Sequence, residues 1–319
     1  MAIPAISVII PTRDQAQYIT TALESVFAQT FTDYEVIVVD DGSTDSTQQV
    51  LAPFVREKQI QVVVQEPAGV SAARNSGVAL ARTPYVAFLD SDDLFLSTKL
   101  EKQIRLFERD PQLGFVHCSF SKFDDQGRDL GVRDTSRFKG WIYPQMLHEW
   151  SVLMAMPCML MRTEVIKEAG GFDKGMVWAE DLDLWRRIAR RYAVGVVAEA
   201  LVRVRVHPGS TSFERGKGAV GFERYLEKAF AEDPGLPPYF KLRATAKMHA
   251  KLGQNLLGEG GPQEMKQARR HSWLALAAWP LQLSALLGLI ASWLPSAARR
   301  KLVGWLRRKR YPAAKVEPL

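Results

Sequence analysis

The sequence predicts an α/β fold with a mostly parallel central sheet and helices on both faces. Two observations predict it: short apolar runs typical of buried strands alternate with segments whose apolar residues recur at helical spacing, and charged motifs follow the ends of those strands. Right-handed crossovers between parallel strands place the helices on both faces of the sheet.

The first 110 residues carry this alternation most clearly. The expected strands are 6–10, 35–39, 60–64 and 85–89, and the expected helices are 15–29, a segment around 50–54, and 71–81. This part therefore reads as a doubly wound nucleotide-binding half. Thr98 and Glu101 have capping-box spacing, which predicts a helix that opens directly after an acidic cluster at 90–93.

Residues 111–210 show a mixed pattern, and we assign them to the acceptor half of one domain that spans 1–210. The pattern predicts a turn at 125–127, a short helix at 164–169 ended by two glycines, and a helix at 180–192. Residues 211–270 read as a helical extension. Residues 271–319 read as an amphipathic, basic tail.

The tail combines an uncharged stretch, 272–298, with a dense group of cations. Pro280 and Pro295 leave 281–294 as the longest apolar block, which is short for a span of about 20 residues. The tryptophans and flanking cations favour an element lying in a membrane interface, while a buried core or oligomer helix is the alternative. The tryptophans are Trp273, Trp279, Trp293 and Trp305.

Composition argues against several function classes. The formal net charge is +7, and seven cations of the tail account for it: Arg299, Arg300, Lys301, Arg307, Arg308, Lys309 and Arg310. The rest of the chain is nearly balanced, so we expect no nucleic-acid partner. Cys118 and Cys158 lie in apolar runs without zinc-ligand spacing, which favours buried free thiols in a reducing compartment.

The acidic cluster at the end of the fourth strand points to a metal. Asp90, Asp92 and Asp93 place three carboxylates within four residues, and such crowding is relieved by a hard divalent cation such as Mn²⁺ or Mg²⁺. Charge at a helix N-terminus is the alternative, and it would explain Asp93 but not Asp90.

Other polar residues follow neighbouring elements. Asp41 comes after the second strand and could accept hydrogen bonds from a base or ribose, although Asp-Gly is also an ordinary turn. Arg74 lies among small residues and could reach a phosphate, with a surface salt bridge as the alternative. Glu180 and Asp181 begin a helix, where a carboxylate could act as a general base or complement the helix dipole. His207 could reach a metal or phosphate, although a lone histidine is usually structural.

Together these motifs resemble the family-2 inverting glycosyltransferases with the GT-A fold. The resemblance covers about residues 3–212, and its segments occur in family order: SVIIPT at 7–12, VDDGSTD at 39–45, GVSAARN at 69–75, DSDD at 90–93, GGFD at 170–173, EDLDLW at 180–185 and HPGS at 207–210. The Gln-x-x-Arg-Trp element of processive synthases is missing from the sequence, which favours a single addition per encounter.

The resemblance implies roles for individual residues. It places Pro11, Thr12 and Asp41 at the nucleoside, Arg74 near the diphosphate, and Asp181 as the general base, with Glu180 as the neighbour most easily confused with it. Asp92 would be the principal metal ligand, with Asp90 as its partner and His207 as a further ligand. Asp93 would cap a helix. The expected nucleotide-binding residues are Pro11, Thr12, Asp41, Arg74, Asn75, Asp90 and Ser91.

The resemblance also implies the reaction. A sugar would pass from a nucleotide-sugar donor, with UDP favoured, to a hydroxyl of a glycan or lipid-linked acceptor, by single displacement with inversion. The tail suggests a cytoplasmic enzyme on the inner face of the membrane, in cell-envelope polysaccharide or glycolipid synthesis. Two alternatives remain: a catalytically silent nucleotide-binding membrane adaptor, and a dinucleotide-dependent oxidoreductase, whose G-x-G-x-x-G turn is not found after the first strand.

Overall fold

A computed structural model describes residues 4–148, 155–176, 178–207, 218–257, 261–295, 298 and 301. The chain divides into two compact units. The first comprises residues 1–143 and 153–214, and the second comprises residues 144–152 and 215–319. The division expected at residue 270 stays a prediction, and one helix continues across it.

Among its described residues, the first unit is built on one mixed sheet of nine strands. Their order is β3-β2-β1-β4-β8-β6-β9-β5, and β7 pairs with β6. The strands are β1 (Ile6–Thr12), β2 (Tyr34–Asp40), β3 (Gln61–Val64), β4 (Tyr85–Phe88), β5 (Leu94–Phe95), β6 (Leu113–Asp124), β7 (Asp129–Arg133), β8 (Leu160–Arg162) and β9 (Ala193–Val206). The first four pair in parallel, as the sequence predicts, and the antiparallel β8 joins them to the parallel pair β6 and β9.

Helices connect the parallel strands. In the first unit they are α1 (Ile19–Phe27), α2 (Thr47–Arg56), α3 (Val70–Leu80), α4 (Lys99–Arg109), α6 (Thr163–Glu168) and α7 (Glu180–Ala189), while α5 (Tyr143–His148) lies almost wholly in the second unit. Helix α3 lies directly on β1, because a Cβ added at Gly77 would be 2.4 Å from Cγ2 of Ile9. This contact fixes the helix that carries Arg74 against the strand that leads to the predicted site.

Strand register brings the predicted site residues to one edge. Thr12 pairs with Asp40, and Asp40 pairs with Val64. Parallel strands therefore end level with one another, and the loops after β1, β2 and β3 start side by side. Ligands bind at this carboxyl edge in open α/β sheets.

The first helix is shorter than the sequence predicts, because residues before Ile19 belong to a loop. Asp14 has a left-handed φ of 52° and accepts the backbone N–H of Thr44 at 2.7 Å, while its own N–H donates to Ser43 Oγ at 2.9 Å. Hydrogen bonds between the loops after β1 and β2 thus compete with helix formation here.

The capping box predicted at Thr98 and Glu101 is wrong. Thr98 precedes α4 but makes no side-chain capping bond, and Glu101 instead accepts hydrogen bonds from Thr30 at 2.6 Å and Arg105 at 2.5 Å. The helix also does not open directly after the acidic cluster, since β5 intervenes.

Besides α5, the second unit contains four helices within its described residues: α8 (Gly218–Glu232), α9 (Pro238–Leu256), α10 (Pro262–Ala278) and α11 (Leu283–Ala291). Its buried apolar clusters are rich in alanine: Ala250, Ala275 and Ala285 form one, and Leu256, Leu257, Met265, Ala268 and Ala291 form another. Pro280 separates α10 from α11, as the sequence predicts. Across the part of the chain that the structure describes, every helix is too short or too polar to cross a membrane.

Apolar side chains remain exposed around α11. Leu281, Leu283 and Trp293 are 79%, 72% and 73% exposed, and Trp273 on α10 is also exposed. Trp305 and the cations of the tail other than Lys301 lie outside the described residues.

Candidate active site

Arg74 lies at the centre of the site. Its guanidinium donates from Nη2 to Oδ1 of Asp90 at 2.8 Å and from Nη1 to Oε1 of Glu180 at 3.2 Å, and it lies over the Phe172 ring. Burial opposes its charge, but Asp90 and Glu180 outweigh burial and raise the pKa of Arg74. One buried cation thus joins two predicted motifs that lie far apart in the sequence.

Asp92 and His207 face each other beside this ion pair. His207 Nε2 lies 3.1 Å from Oδ2 of Asp92. Burial and the neighbouring Asp90 raise the pKa of Asp92. Burial is the larger cause, and the Asp90 carboxylate adds a like-charge repulsion that a cation bound nearby would relieve.

Asp93 has a different role from the one predicted. It does not cap a helix: its Oδ1 accepts the backbone N–H of Arg205 on β9 at 2.8 Å, and it is fully buried. The Arg205 side chain donates from Nε to the Asp92 carbonyl at 3.0 Å. These bonds hold the acidic loop against the strand that leads to His207.

Glu180 and Asp181 begin α7, as predicted, and differ in their surroundings. Glu180 is committed to Arg74, whereas Oδ1 of Asp181 accepts only the N–H of Leu182, at 2.6 Å, among the bonds of the described residues. Burial and the adjacent Glu180 raise the pKa of Asp181 to about 7. Ala179, the residue before them, has a left-handed φ of 63°. This backbone conformation costs roughly 1 kcal/mol and sets the direction in which α7 begins.

Asp41 binds the loop after β3. Its Oδ1 accepts hydrogen bonds from Gln65 Nε2 at 2.7 Å and the N–H of Ala68 at 2.8 Å, and its Oδ2 accepts the N–H of Gly69 at 2.8 Å. A carboxylate offers about four acceptor positions, so roughly one remains for a ligand.

Beneath Asp41 lie buried polar atoms. Thr12 Oγ1 and Asp40 Oδ2 have no hydrogen-bond partner among the described residues. Since such groups are rarely left unsatisfied, they favour a polar ligand or water at the ends of β1 and β2. Pro11 and Ser91 are also buried here.

Asn75 binds the protein itself. Its amide donates to the Phe172 carbonyl and accepts the Phe172 N–H, both at 2.8 Å. This reciprocal pair holds the loop after α6 against α3 and places the Phe172 ring under Arg74.

Asp92 and His207 are spaced as two ligands of one divalent ion would be, but among the described residues Asp90 does not complete a group of three ligand atoms within 4.8 Å of one another. Cis ligands of an octahedral Mg²⁺ or Mn²⁺ site are about 3 Å apart, close to the observed separation of the Asp92 and His207 atoms. Asp90 has one oxygen paired with Arg74 and a second that forms no side-chain hydrogen bond in the described part of the chain.

Sequence reasoning missed several residues of this site. Gln65 follows β3 at the same edge as Asp41, which could have indicated it. Arg205 lies near the end of β9, two residues before His207, and this nearness could have indicated it. Phe172 and Tyr18 gave no such signal, because their contacts with Arg74 and His207 join distant segments.

The family model described as "Glycosyl transferase family 2" matches residues 7–170, about half of the chain. The chain belongs to glycosyl transferase family 2. This confirms the predicted family, and it argues against the oxidoreductase alternative.

Relatives of this family-2 chain are described as glycosyltransferases. Uncharacterised glycosyltransferases of Rickettsia felis and Rickettsia conorii are 33% identical over 217 residues, covering 68% of this chain and 35% of each relative. The chain thus spans about a third of the length of these relatives. The uncharacterised glycosyltransferase EpsJ of Bacillus subtilis is 28% identical over 257 residues, covering 77% of this chain and 73% of EpsJ.

Solved structures resemble the family-2 chain in fold. Residues 1–349 of S. aureus TarS, in complex with UDP-GlcNAc, match with a TM-score of 0.63 at 19% identity, covering 96% of this chain and 93% of that one. The mannosyltransferase PcManGT of Pyrobaculum calidifontis, with GDP-Man and Mn²⁺, matches at 0.60 and 21% identity, covering 98% and 88%. This likeness confirms the predicted GT-A fold with a helical C-terminal part.

Proposed function

We propose that this chain transfers a sugar, with inversion, from a UDP-sugar to a hydroxyl of a glycan or lipid-linked acceptor. The observation that carries the proposal is the cluster in which Arg74 joins Asp90 to Glu180, with Asp92 and His207 on one side and Asp181 on the other. A phosphate-binding cation, a candidate metal site and a candidate base thus come from separate segments and meet at one sheet edge.

The nucleoside would bind at the ends of β1 and β2. The remaining acceptor position of Asp41 suits the single N–H of a uracil ring better than the adjacent N–H and NH₂ groups of guanine. The unsatisfied Thr12 Oγ1 and Asp40 Oδ2 would take further hydrogen bonds. Ser91 and Pro11 would line the same pocket. Asn75 would act indirectly, by holding the Phe172 loop.

The diphosphate would lie over the acidic loop. Mn²⁺ or Mg²⁺ held by Asp92, Asp90 and His207 would neutralise the charge on the leaving nucleoside diphosphate. Arg74 would bind a phosphate oxygen through the N–H groups that now contact the carboxylates. The donors of the two solved neighbours, UDP-GlcNAc and GDP-Man, support a nucleotide-sugar in this place.

Asp181 would act as the general base. It accepts the proton of the acceptor hydroxyl, whose oxygen attacks the anomeric carbon as the bond from that carbon to the diphosphate oxygen breaks. A pKa of about 7 suits this role, because the group is both ionised and basic near neutral pH. Glu180 is the weaker candidate, since its carboxylate is held by Arg74.

The second unit would hold the enzyme on the inner face of the cytoplasmic membrane, where cell-envelope polysaccharide or glycolipid precursors are assembled. The exposed apolar residues around α11 support this proposal, and the cationic tail suits anionic lipid. The observed packing of α11 does not bury these residues within the described part of the second unit.

Thermal denaturation with UDP tests the donor site and the metal together. We expect UDP to raise the Tm in Mn²⁺ or Mg²⁺ but not in EDTA, and we expect Asp92→Asn to abolish this difference. Glu101→Gln, a carboxylate change outside the site, serves as the control. Equal stabilisation in EDTA would refute the metal assignment.

Turnover distinguishes an enzyme from a silent adaptor. A panel of UDP- and GDP-sugars with glycan and lipid-linked acceptors should yield a glycosylated product by mass spectrometry, and NMR of that product should show inverted anomeric configuration. Binding without any product across the panel would favour the adaptor.

A further inference from the structure

A second group of metal-ligating side chains lies in the helical unit, outside the family match at residues 7–170. Glu223 on α8, His249 on α9 and His271 on α10 bring one ligand atom each within 4.8 Å of one another. The two histidines are nearly buried, and Glu223 is partly exposed. Three different helices thus converge on one point.

The two imidazole rings approach each other through their Nδ1 atoms. Nδ1 of His249 lies 3.1 Å from Nδ1 of His271, and Oε1 of Glu223 lies 3.9 Å from Nδ1 of His249. A tetrahedral zinc ion with Zn–N distances near 2.05 Å holds its nitrogen ligands about 3.3 Å apart. The separation of the two nitrogens is close to this spacing, and the Glu223 oxygen would move closer to both to complete the site.

We propose that Glu223, His249 and His271 form a zinc site that ties α8, α9 and α10 together, with a fourth position open to water or another ligand. Two nitrogens and one carboxylate oxygen form a donor set that Zn²⁺ accepts. A zinc ion would satisfy both Nδ1 atoms with the rings neutral.

The surroundings of the rings support this proposal. Burial, His271 and Arg270 lower the pKa of His249 to about 4, and burial with Arg270 lowers that of His271. Both rings therefore stay neutral at physiological pH, and neutral imidazole is the form that binds metals.

The two helices that carry the histidines pack closely against each other. A Cβ added to Gly253, one turn after His249, would lie 3.1 Å from the Ala268 carbonyl and 3.6 Å from Cβ of His271, so α9 and α10 approach closely here. The buried clusters nearby include five alanines among their eight buried residues. A metal bound where the three helices meet would hold α8 against this closely packed pair.

Metal titration of the full chain, free of any affinity tag and stripped with EDTA, tests the proposal. The titration uses the Asp92→Asn variant, so that the candidate metal site at the acidic loop contributes less to zinc binding. We expect ZnCl₂ alone to bind with one ion per chain and to raise the Tm. His249→Gln and His271→Gln should each weaken zinc binding at least roughly tenfold, and Glu223→Gln should weaken it less. His148→Gln, in the same unit, is the matched control and should leave it unchanged.

X-ray absorption is measured on the zinc-loaded chain with both histidines in place. Its result therefore does not depend on whether the histidine variants fold. We expect a first shell that contains two imidazole nitrogens. Failure of zinc to bind, unchanged affinity in both histidine variants, or a shell without imidazole would overturn the proposal. The contact between the two rings would then be an ordinary hydrogen bond.

Discussion

Asp181 is one of the two carboxylates that begin α7, and its pKa is strongly raised in the folded protein. Its folded-state pKa of about 7 lies well above the value near 4 of an unfolded aspartate. The folded protein therefore holds a proton that the unfolded chain releases between about pH 4 and 7. The stability that this proton provides is present below pH 4 and is lost as the pH rises through 7.

Asp181→Asn should consequently separate stability from activity. Because asparagine stays neutral, the Tm of the variant should exceed that of the parent chain by more at pH 8 than at pH 5. Transfer should fall by roughly 10² to 10⁴, while UDP binding persists. In the parent chain, kcat/KM should rise with pH through about 7. Calorimetry and initial rates at matched pH values measure both effects.

Glu180→Gln provides the comparison for that variant. It removes the charge that pairs with Arg74 but leaves the candidate base in place. We expect it to retain more turnover than Asp181→Asn. If Glu180→Gln loses transfer and Asp181→Asn retains it, the two roles are reversed.

At the scale of elements, the loop after α6 depends on one amide of α3. Asn75 makes two reciprocal bonds with Phe172, and Gly171 lies so close that an added Cβ would be 2.6 Å from Oδ1 of Asn75. Arg187 of α7 also donates to the Gly171 carbonyl at 2.7 Å. Elements far apart in sequence thus support the ring beneath Arg74.

Asn75→Asp should loosen this loop. The substitution replaces the donor NH₂ by an oxygen that faces the Phe172 carbonyl, and an unsatisfied buried group costs about 1 to 3 kcal/mol. Urea denaturation measures the loss. Gln48→Glu, the same chemical change on the exposed surface of α2, should change the free energy of unfolding by less than about 0.5 kcal/mol. Equal effects of the two would contradict this assignment.

The sequence predicts the parallel strands well because their apolar runs have no second interpretation: 6–10 and 85–89 are too short for helices and are bounded by turn residues. It predicts Asp90, Asp92, Glu180 and Asp181 as neighbours because each follows or begins an element at the ligand-binding edge. It does not predict Asp93 or Glu101 correctly. Their partners, Arg205 and Thr30, are 112 and 71 positions away, and local spacing carries no record of such contacts.

At the scale of the whole molecule, membrane association is best tested by changing the surface. Helix α10 buries Met265 and Ala268 in a cluster with Leu256 and Leu257, so ending the chain at Gly261 would expose apolar residues of α9. Substitutions of exposed side chains avoid this artefact.

The triple variant Leu281→Ser, Leu283→Ser and Trp293→Ser should bind anionic vesicles more weakly, because these side chains are the most exposed apolar groups near α11. Co-sedimentation with vesicles containing phosphatidylglycerol measures the change. Tyr239→Ser with Leu242→Ser removes exposed apolar surface from α9 and should have little effect. Unchanged binding of the triple variant would argue against the membrane role of α11.

The ion pairs of Arg74 also have a kinetic consequence. In the structure this side chain is held by Asp90, which follows β4, and by Glu180, which begins the helix of the candidate base. Under the proposed function, a diphosphate that takes the same N–H groups would draw Arg74 away from at least one of these carboxylates, so binding of the donor and the position of the start of α7 would be linked. Donor binding would then precede acceptor binding, because the acceptor would meet a complete site only with the nucleotide-sugar in place.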